Sequence, residues 1–420
     1  MKDPLQLGTD GILLFITRYM RLFGFGLISF CVPLYMQALG FSAAQIGLLM
    51  TLTLAGDLLI SLPITSHADR IGRRRMLMIG AVLMALSGVA FMLTGNFILL
   101  IIASTIGVIS PSGNEIGPFL SIEQASLSEI VSDSGRTRVF AWYNLAGSFA
   151  TALGALSAGW GASLLQKGGM TSVASFKVII AFYVAVGIAQ LVLFSRVSPR
   201  VETVPSAPVR AEKTETRGAA SNIAQKLGLR TSGKIILKLS ALFSLDAFAG
   251  GFVVMGMITI WFKTRYGIDP GFLGSIIFGA NILAGISSLL AVRIANRFGL
   301  INTMVFTHIP SNILLMLVPL MPNLSLAVAM LFLRYSISQM DVPTRQSYVM
   351  SVVPPGERAA AAGVTSIART VGATISPGLS GLLLGSAALL SFPFFIGGGL
   401  KIVYDLLLYR SFKASERGKK

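Results

Sequence analysis

The chain has 420 residues, of which 54% are hydrophobic and 12% charged, with a formal net charge of +17. A soluble domain carries about a quarter charged residues, so this composition over this length points to a protein embedded in a bilayer. The single Cys31 excludes an internal disulfide, and two histidines far apart in sequence, His67 and His308, speak against a zinc site.

A spanning helix needs roughly 20 mostly apolar residues. Twelve stretches qualify: 10–38, 43–65, 76–95, 97–131, 138–165, 173–195, 234–262, 271–293, 300–321, 324–353, 358–386 and 389–410. The first carries Arg18 and Arg21, three apart and so on one helix face. It is too long and too charged for a signal core and reads as a retained helix. The second carries Asp57, and the fourth carries Asn114, Glu115 and Glu123. Pro111 and Pro118 predict kinks in the fourth. Residues 198–233 are polar, charged and proline-containing, which predicts a flexible cytoplasmic linker between domains at 1–197 and 234–420. Asp246 sits near the middle of the seventh span. Arg334, Asp341 and Arg345 lie in the tenth, where Pro343 predicts a kink, and Arg369 lies in the eleventh. Ionisable residues inside a bilayer are costly and mark function by default.

The loops alternate in charge. One set holds Arg70, Arg73, Arg74 and Arg75, then Arg136 and Arg138, the linker, Arg293 and Arg297, Arg358, and the basic tail. The other set has Lys167, Lys263 and Arg265 as its only basic residues. Basic loops stay on the cytoplasmic side, so both termini are expected there, in a multi-pass protein of the cell membrane. This distribution accounts for the positive charge without nucleic acid as a partner.

The two series of spans repeat. At a shift of 227, Gly24, Gly40, Gly47 and Gly72 fall on Gly251, Gly267, Gly274 and Gly299, and "ADRIG" at 68 falls on "ANRFG" at 295. At a shift of 222, Glu123-Gln124 falls on Arg345-Gln346, Arg136 on Arg358 and Gly159 on Gly381. Parallel duplication places a substrate site between the halves in one known transporter plan.

Twelve spans, the central linker, the repeat and "HADRIGRRR" between the second and third spans together resemble the major facilitator superfamily over the whole chain. That family's loop signature, G-x-x-x-D-R-x-G-R-R, is met at Asp69, Arg70, Gly72, Arg73 and Arg74, with Thr65 where the first glycine is usual. The resemblance implies an all-α membrane protein of twelve transmembrane helices in two pseudo-symmetric six-helix bundles. It also implies that this loop latches the halves when the cytoplasmic side is shut, with Glu129 or Asp133 as partner of Arg73. Locally, Gly72 permits the tight turn and Asp69 can accept hydrogen bonds from a helix N-terminus or an arginine. The alternative for these arginines is plain topological charge. The family's drug exporters often carry an arginine in the fourth span and a Gly-Pro element in the fifth. This chain has neither.

The expected substrate or proton site comprises Arg18, Arg21, Asp57, Glu115, Asp246, Arg334 and Arg369. The repeat places Asp246 on Tyr19, beside Arg18, so the first and seventh spans bring opposite charges to similar depth; a static ion pair is the alternative. Glu123 and Arg345 are expected to close a cytoplasmic gate. Asp341, one turn before Arg345, is the competing partner. No ATP-binding loop of the G-x-x-x-x-G-K-S/T type is present, and no cofactor or metal is expected. The resulting expectation is a monomeric secondary transporter moving a small polar or charged solute by alternating access, by proton-coupled efflux. Proton-coupled uptake of an organic anion is the nearest alternative. A membrane enzyme lacks a convergent nucleophile or metal set, and a sensor or scaffold would need a soluble domain larger than the linker.

Overall fold

The structure is a computed structural model and describes residues 7–110, 113, 119–131, 133–202, 229, 231–354 and 357–417. Among these residues the chain is helical and holds no strand. The first series comprises α1 Gly8–Ala38, α2 Ala43–Ile71, α3 Arg73–Leu93, α4 Phe97–Ile106, α5 Phe119–Ile130, α6 Asp133–Lys167 and α7 Ser172–Phe194. The second comprises α8 Gly233–Gly251, α9 Met255–Tyr266, α10 Pro270–Phe298, α11 Leu300–Leu317, α12 Leu324–Ser338, α13 Asp341–Ser351, α14 Arg358–Leu384 and α15 Phe392–Arg417. Among the described residues, 10 segments are long and apolar enough to cross a bilayer, with Gly233–Tyr266 counted as one. The α4–α5 and α12–α13 pairs occupy the fourth and tenth expected spans. Large apolar side chains face outward, with Leu93 80%, Leu59 69% and Leu382 63% exposed. That is wrong for water and right for lipid.

Three expected spans are interrupted rather than merely kinked. In the fourth, α4 ends at Ile106 and helix resumes at Phe119; residues 111, 112 and 114–118 lie outside the described residues. Backbone groups freed inside a membrane must find other partners. Here Ser87 Oγ donates to Gly107 O at 3.0 Å and Tyr183 Oη donates to Val108 O at 3.2 Å. Val108 is held at φ 54°, and it is the only non-glycine with positive φ among the described residues. In the tenth span the break falls at Gln339 and Met340, ahead of Pro343. The proline therefore lies in the first turn of α13, where its missing N–H costs nothing. The seventh span, which has no proline, breaks between Gly251 and Met255, and Ser380 Oγ donates to Phe252 O at 2.7 Å.

The repeat is visible in backbone conformation. Gly40 (φ 89°) and Gly267 (φ 62°) follow the first span of each series, and Gly72 (φ 112°) and Gly299 (φ 87°) join the second span to the third. Each pair is related by the 227-residue shift, and all four adopt φ values that a side chain resists.

By packing, the chain divides into two compact units, one of Met1–Ala207 with Val254–Ile282, the other of Pro208–Val253 with Leu283–Lys420. In the first unit α1 packs on α6 and α7, and α9 reaches α1. A Cβ on Gly159 would meet Pro270 O at 2.5 Å and Gly274 Cα at 2.8 Å, so α6 and α10 cross almost backbone to backbone. Trp160 Nε1 donates to Ser275 Oγ at 3.0 Å and Ser163 Oγ to Asp269 Oδ2 at 2.9 Å along the same seam. In the second unit α8 packs on α14 and α15, and α11 on α12, α13 and α15. Its core is built from residues such as Ile236, Leu239, Phe243, Met304 and Leu408.

Candidate functional site

Each unit encloses a cluster of buried charge. In the first unit, α1 presents Arg21 and α5 presents Glu123, both with fully buried side chains. The guanidinium grips the carboxylate in a fork, Nη1 to Oε1 and Nη2 to Oε2, each at 2.6 Å. Tyr143 Oη donates to Glu123 Oε2, and Thr17 Oγ1 to Oε1 at 3.4 Å. The Phe119 ring lies 4.5 Å beneath the guanidinium. A bidentate pair with its remaining lone pairs served is the arrangement in which a buried ion pair is tolerated. Arg18 lies over the Tyr143 ring at 4.1 Å and donates to Asn144 Oδ1 at 3.1 Å. Gly147 makes room for it, since a Cβ there would sit 2.9 Å from Arg18 Nε. Asp57 accepts from Ser61 Oγ at 3.0 Å and borders a small depression lined by Thr53, Ser104, Thr105 and Val108.

In the second unit Asp246 of α8 is the hub. Lys401 Nζ donates to its Oδ1 at 2.6 Å, Arg369 Nη1 to its Oδ2 at 2.8 Å, and Arg345 Nη1 to Oδ2 at 3.3 Å. Arg345 also donates to Asp341 at 2.6 Å, one turn back on α13. Asp405, four residues after Lys401 on α15, accepts from His308 Nδ1 at 2.9 Å and from Asn312 Nδ2 at 3.4 Å. The Asp246 side chain is 4% exposed, whereas that of Arg369 is 33% exposed. Arg369 is therefore where this cluster meets its surroundings. Arg334 of α12 is buried and stacks 4.7 Å from the Tyr335 ring.

The expected Glu123–Arg345 gate pair is accounted for differently within each unit: Glu123 is bound by Arg21, and Arg345 by Asp341 and Asp246. Likewise Asp246, expected to face Arg18 across the repeat, is bound by three cations of its own unit. Lys401, Asp405 and the use of His308 were not foreseen. The signal was present, since Lys401 and Asp405 are charges one helical turn apart inside an apolar span.

At the loop between α2 and α3, Glu202 accepts from the backbone N–H of Arg73 at 2.6 Å and of Arg74 at 3.2 Å, a carboxylate seated on the N-terminus of α3. Arg73 Nη1 donates to Val201 O at 3.2 Å. Glu202 was also missed by the sequence reading. Glu115 lies outside the described residues, as do the side chains of Asp69, Arg70, Glu129 and Asp133. In the second unit Glu357, just before α14, holds the start of α8. It accepts from Thr231 N at 2.8 Å, Ser232 N at 3.1 Å, Thr231 Oγ1 at 2.9 Å and the Ser232 hydroxyl. Burial raises this carboxyl, but the hydrogen bonds from Ser232 and Thr231 outweigh it and bring it down to about 2 from an ordinary 4.5.

The sequence matches the family described as Major Facilitator Superfamily over residues 14–377, with a second match over 241–420. An uncharacterized membrane protein of Saccharomyces cerevisiae is 28% identical over 419 residues, covering 94% of this chain and 92% of that protein. The crystal structure of the nucleoside transporter NupG, in mutant form, superposes with a TM-score of 0.73 at 16% identity, covering 96% of this chain and 99% of that one. That of a D-xylose–proton symporter superposes with a TM-score of 0.72 at 14% identity, covering 96% and 98%. At these identities the structural likeness concerns the fold.

Proposed function

The chain belongs to the Major Facilitator Superfamily and is a multi-pass membrane transporter, and on that premise we propose that it is a secondary active transporter of a small polar or charged solute. It works by alternating access between sequence-related halves at 1–197 and 234–420, in a cell membrane with both termini in the cytoplasm. Coupling is to a proton, and the direction is efflux. The observation that supports this reading is Asp246, buried under Lys401, Arg369 and Arg345 with only Arg369 partly exposed. A static core gains little from such a cluster, because desolvating several charges offsets much of their attraction. A solute or proton that perturbs it changes the balance of charges on α8, α13, α14 and α15 at once.

Reconstitution into proteoliposomes tests this. Labelled sugars, nucleosides and carboxylates are offered with a pH gradient of either orientation. Flux that follows the gradient in one orientation identifies the coupled direction, and Asp246→Asn should abolish that dependence while the protein still folds. Gradient-driven flux unchanged in the variant discards Asp246 as the coupling group, and gradient-independent flux discards proton coupling.

A further inference from the structure

In the second unit the buried cations have carboxylate partners, with one exception among the described residues. Lys401 and Arg369 bind Asp246, and Arg345 binds Asp341 and Asp246. Arg334 makes no ion pair, and its Nε and Nη1 are buried without a hydrogen-bond partner. The residue is only 8% exposed. It cannot escape to the membrane surface by stretching along lipid, because α12 buries the stripe Ala327, Leu331, Arg334, Tyr335 and Ser338 while Leu326 and Leu333 face outward at 43% and 51% exposure. Arg345, Arg369 and Lys401 share Asp246 and Asp341, so within the described spans of this unit Arg334 is the buried cation without a carboxylate partner. The C-terminal end of α12 lies one turn on and favours a cation, but a helix dipole does not neutralise a buried guanidinium.

The surroundings of that charge are also unsatisfied. Ser338 lies one turn along the same face of α12, and its Oγ is buried without a partner. On α11, which packs against α12, Ser311 Oγ and Asn312 Oδ1 are buried and unpartnered as well. Buried polar groups are nearly always hydrogen-bonded, and exceptions ask for an absent partner. We propose that Arg334 and Ser338 form a binding site for the carboxylate of a small monoanionic solute. The guanidinium offers its fork of N–H donors and Ser338 its hydroxyl. A single carboxylate matches the single unpaired guanidinium, so monocarboxylates are preferred over phosphate. This names the substrate class of the transporter proposed above and rests on that reading for its biological meaning. Binding itself does not depend on that reading.

The test uses the purified full chain in nanodiscs of phosphatidylcholine. Acetate, benzoate or inorganic phosphate replaces chloride at constant ionic strength while thermal unfolding is followed. The wild type should gain stability with rising carboxylate, by mass action on the folded state. Arg334→Gln should weaken that dependence roughly tenfold or more, the worth of a hydrogen bond to a charged group. Its anion-free melting temperature should equal or exceed that of the wild type, since an unpaired buried charge has been removed, and Arg334→Lys should recover part of the response. A wild type indifferent to both carboxylates, or a response unchanged in Arg334→Gln, overturns the site. So does stabilisation by phosphatidylglycerol in the disc with none from soluble anions, which assigns the guanidinium to a lipid headgroup. Carboxylate binding through Arg334 without flux of any solute leaves this site standing and sinks the transport reading. Flux of another solute without carboxylate binding does the reverse.

Discussion

Two carboxylates carry unequal burdens in this molecule. Glu123 is sealed inside the first unit under Arg21, and truncating it takes the carboxylate from a guanidinium that has no access to water. Glu123→Ala should cost about 3–5 kcal/mol, whereas Arg21→Met with Glu123→Leu should recover most of it, because an apolar pair of similar volume needs no desolvation. Thermal unfolding in detergent of Arg21→Met, Glu123→Leu and the double variant gives the coupling directly, and additive losses would mean that the fork carries no energy. Glu357 sits outside the spans and acts through pH. Its folded-state value is lowered to about 2 from 4.5, so its stabilisation is present above 4.5 and fades as pH falls toward 2. Glu357→Ala should lose about 1 kcal/mol at pH 7, as a lost helix cap does, and the gap to wild type should close as the pH is lowered through that window. A gap independent of pH would contradict the assignment. The charges in spans were legible as rare and costly events, but their partners were not. Arg21 and Glu123 are 102 residues apart, and Asp246 and Lys401 are 155 apart. No local pattern links such residues before the helices pack. Lys401 was hidden by its context, a glycine-rich apolar span whose conspicuous basic residues begin only at Arg410.

Among helices, contact distance decides which glycines matter. Gly159 of α6 and Gly285 of α10 are both helical glycines, yet a Cβ on the first would meet Pro270 O at 2.5 Å and one on the second would meet nothing within 4 Å. Gly159→Ala should therefore destabilise the protein by about 1–3 kcal/mol through overpacking. Gly285→Ala should be neutral or gain up to about 1 kcal/mol from helix propensity. Comparing the two melting temperatures checks this, and equal effects would mean that the α6–α10 crossing has room to spare. The apolar spans and part of the 227-residue repeat were readable, because the spans rest on composition and two of the repeat's glycine pairs on a positive φ. The interruptions were not. Proline marked the fourth and tenth spans, but in the tenth the break falls ahead of Pro343. In the seventh it falls where no proline exists, beside Ser380, whose hydroxyl takes up a freed carbonyl from another helix. A break that depends on a distant hydroxyl leaves no trace in its own stretch of sequence.

For the whole molecule, the outward apolar surface and the inward charges belong to one design. Lipid supports the shell, and Asp246 and Arg334 are enclosed, so a change at either is not screened by solvent as a surface charge would be. Val108 adds a mechanical element. A β-branched residue at φ 54° is strained by about 1–2 kcal/mol, and Tyr183 holds its carbonyl in that state. The fourth span is therefore cocked like a spring at that residue, with Tyr183 as a catch. Any movement that slips the tyrosine hydroxyl off that oxygen lets residue 108 relax, and the recoil favours whichever arrangement of the span lies on the far side.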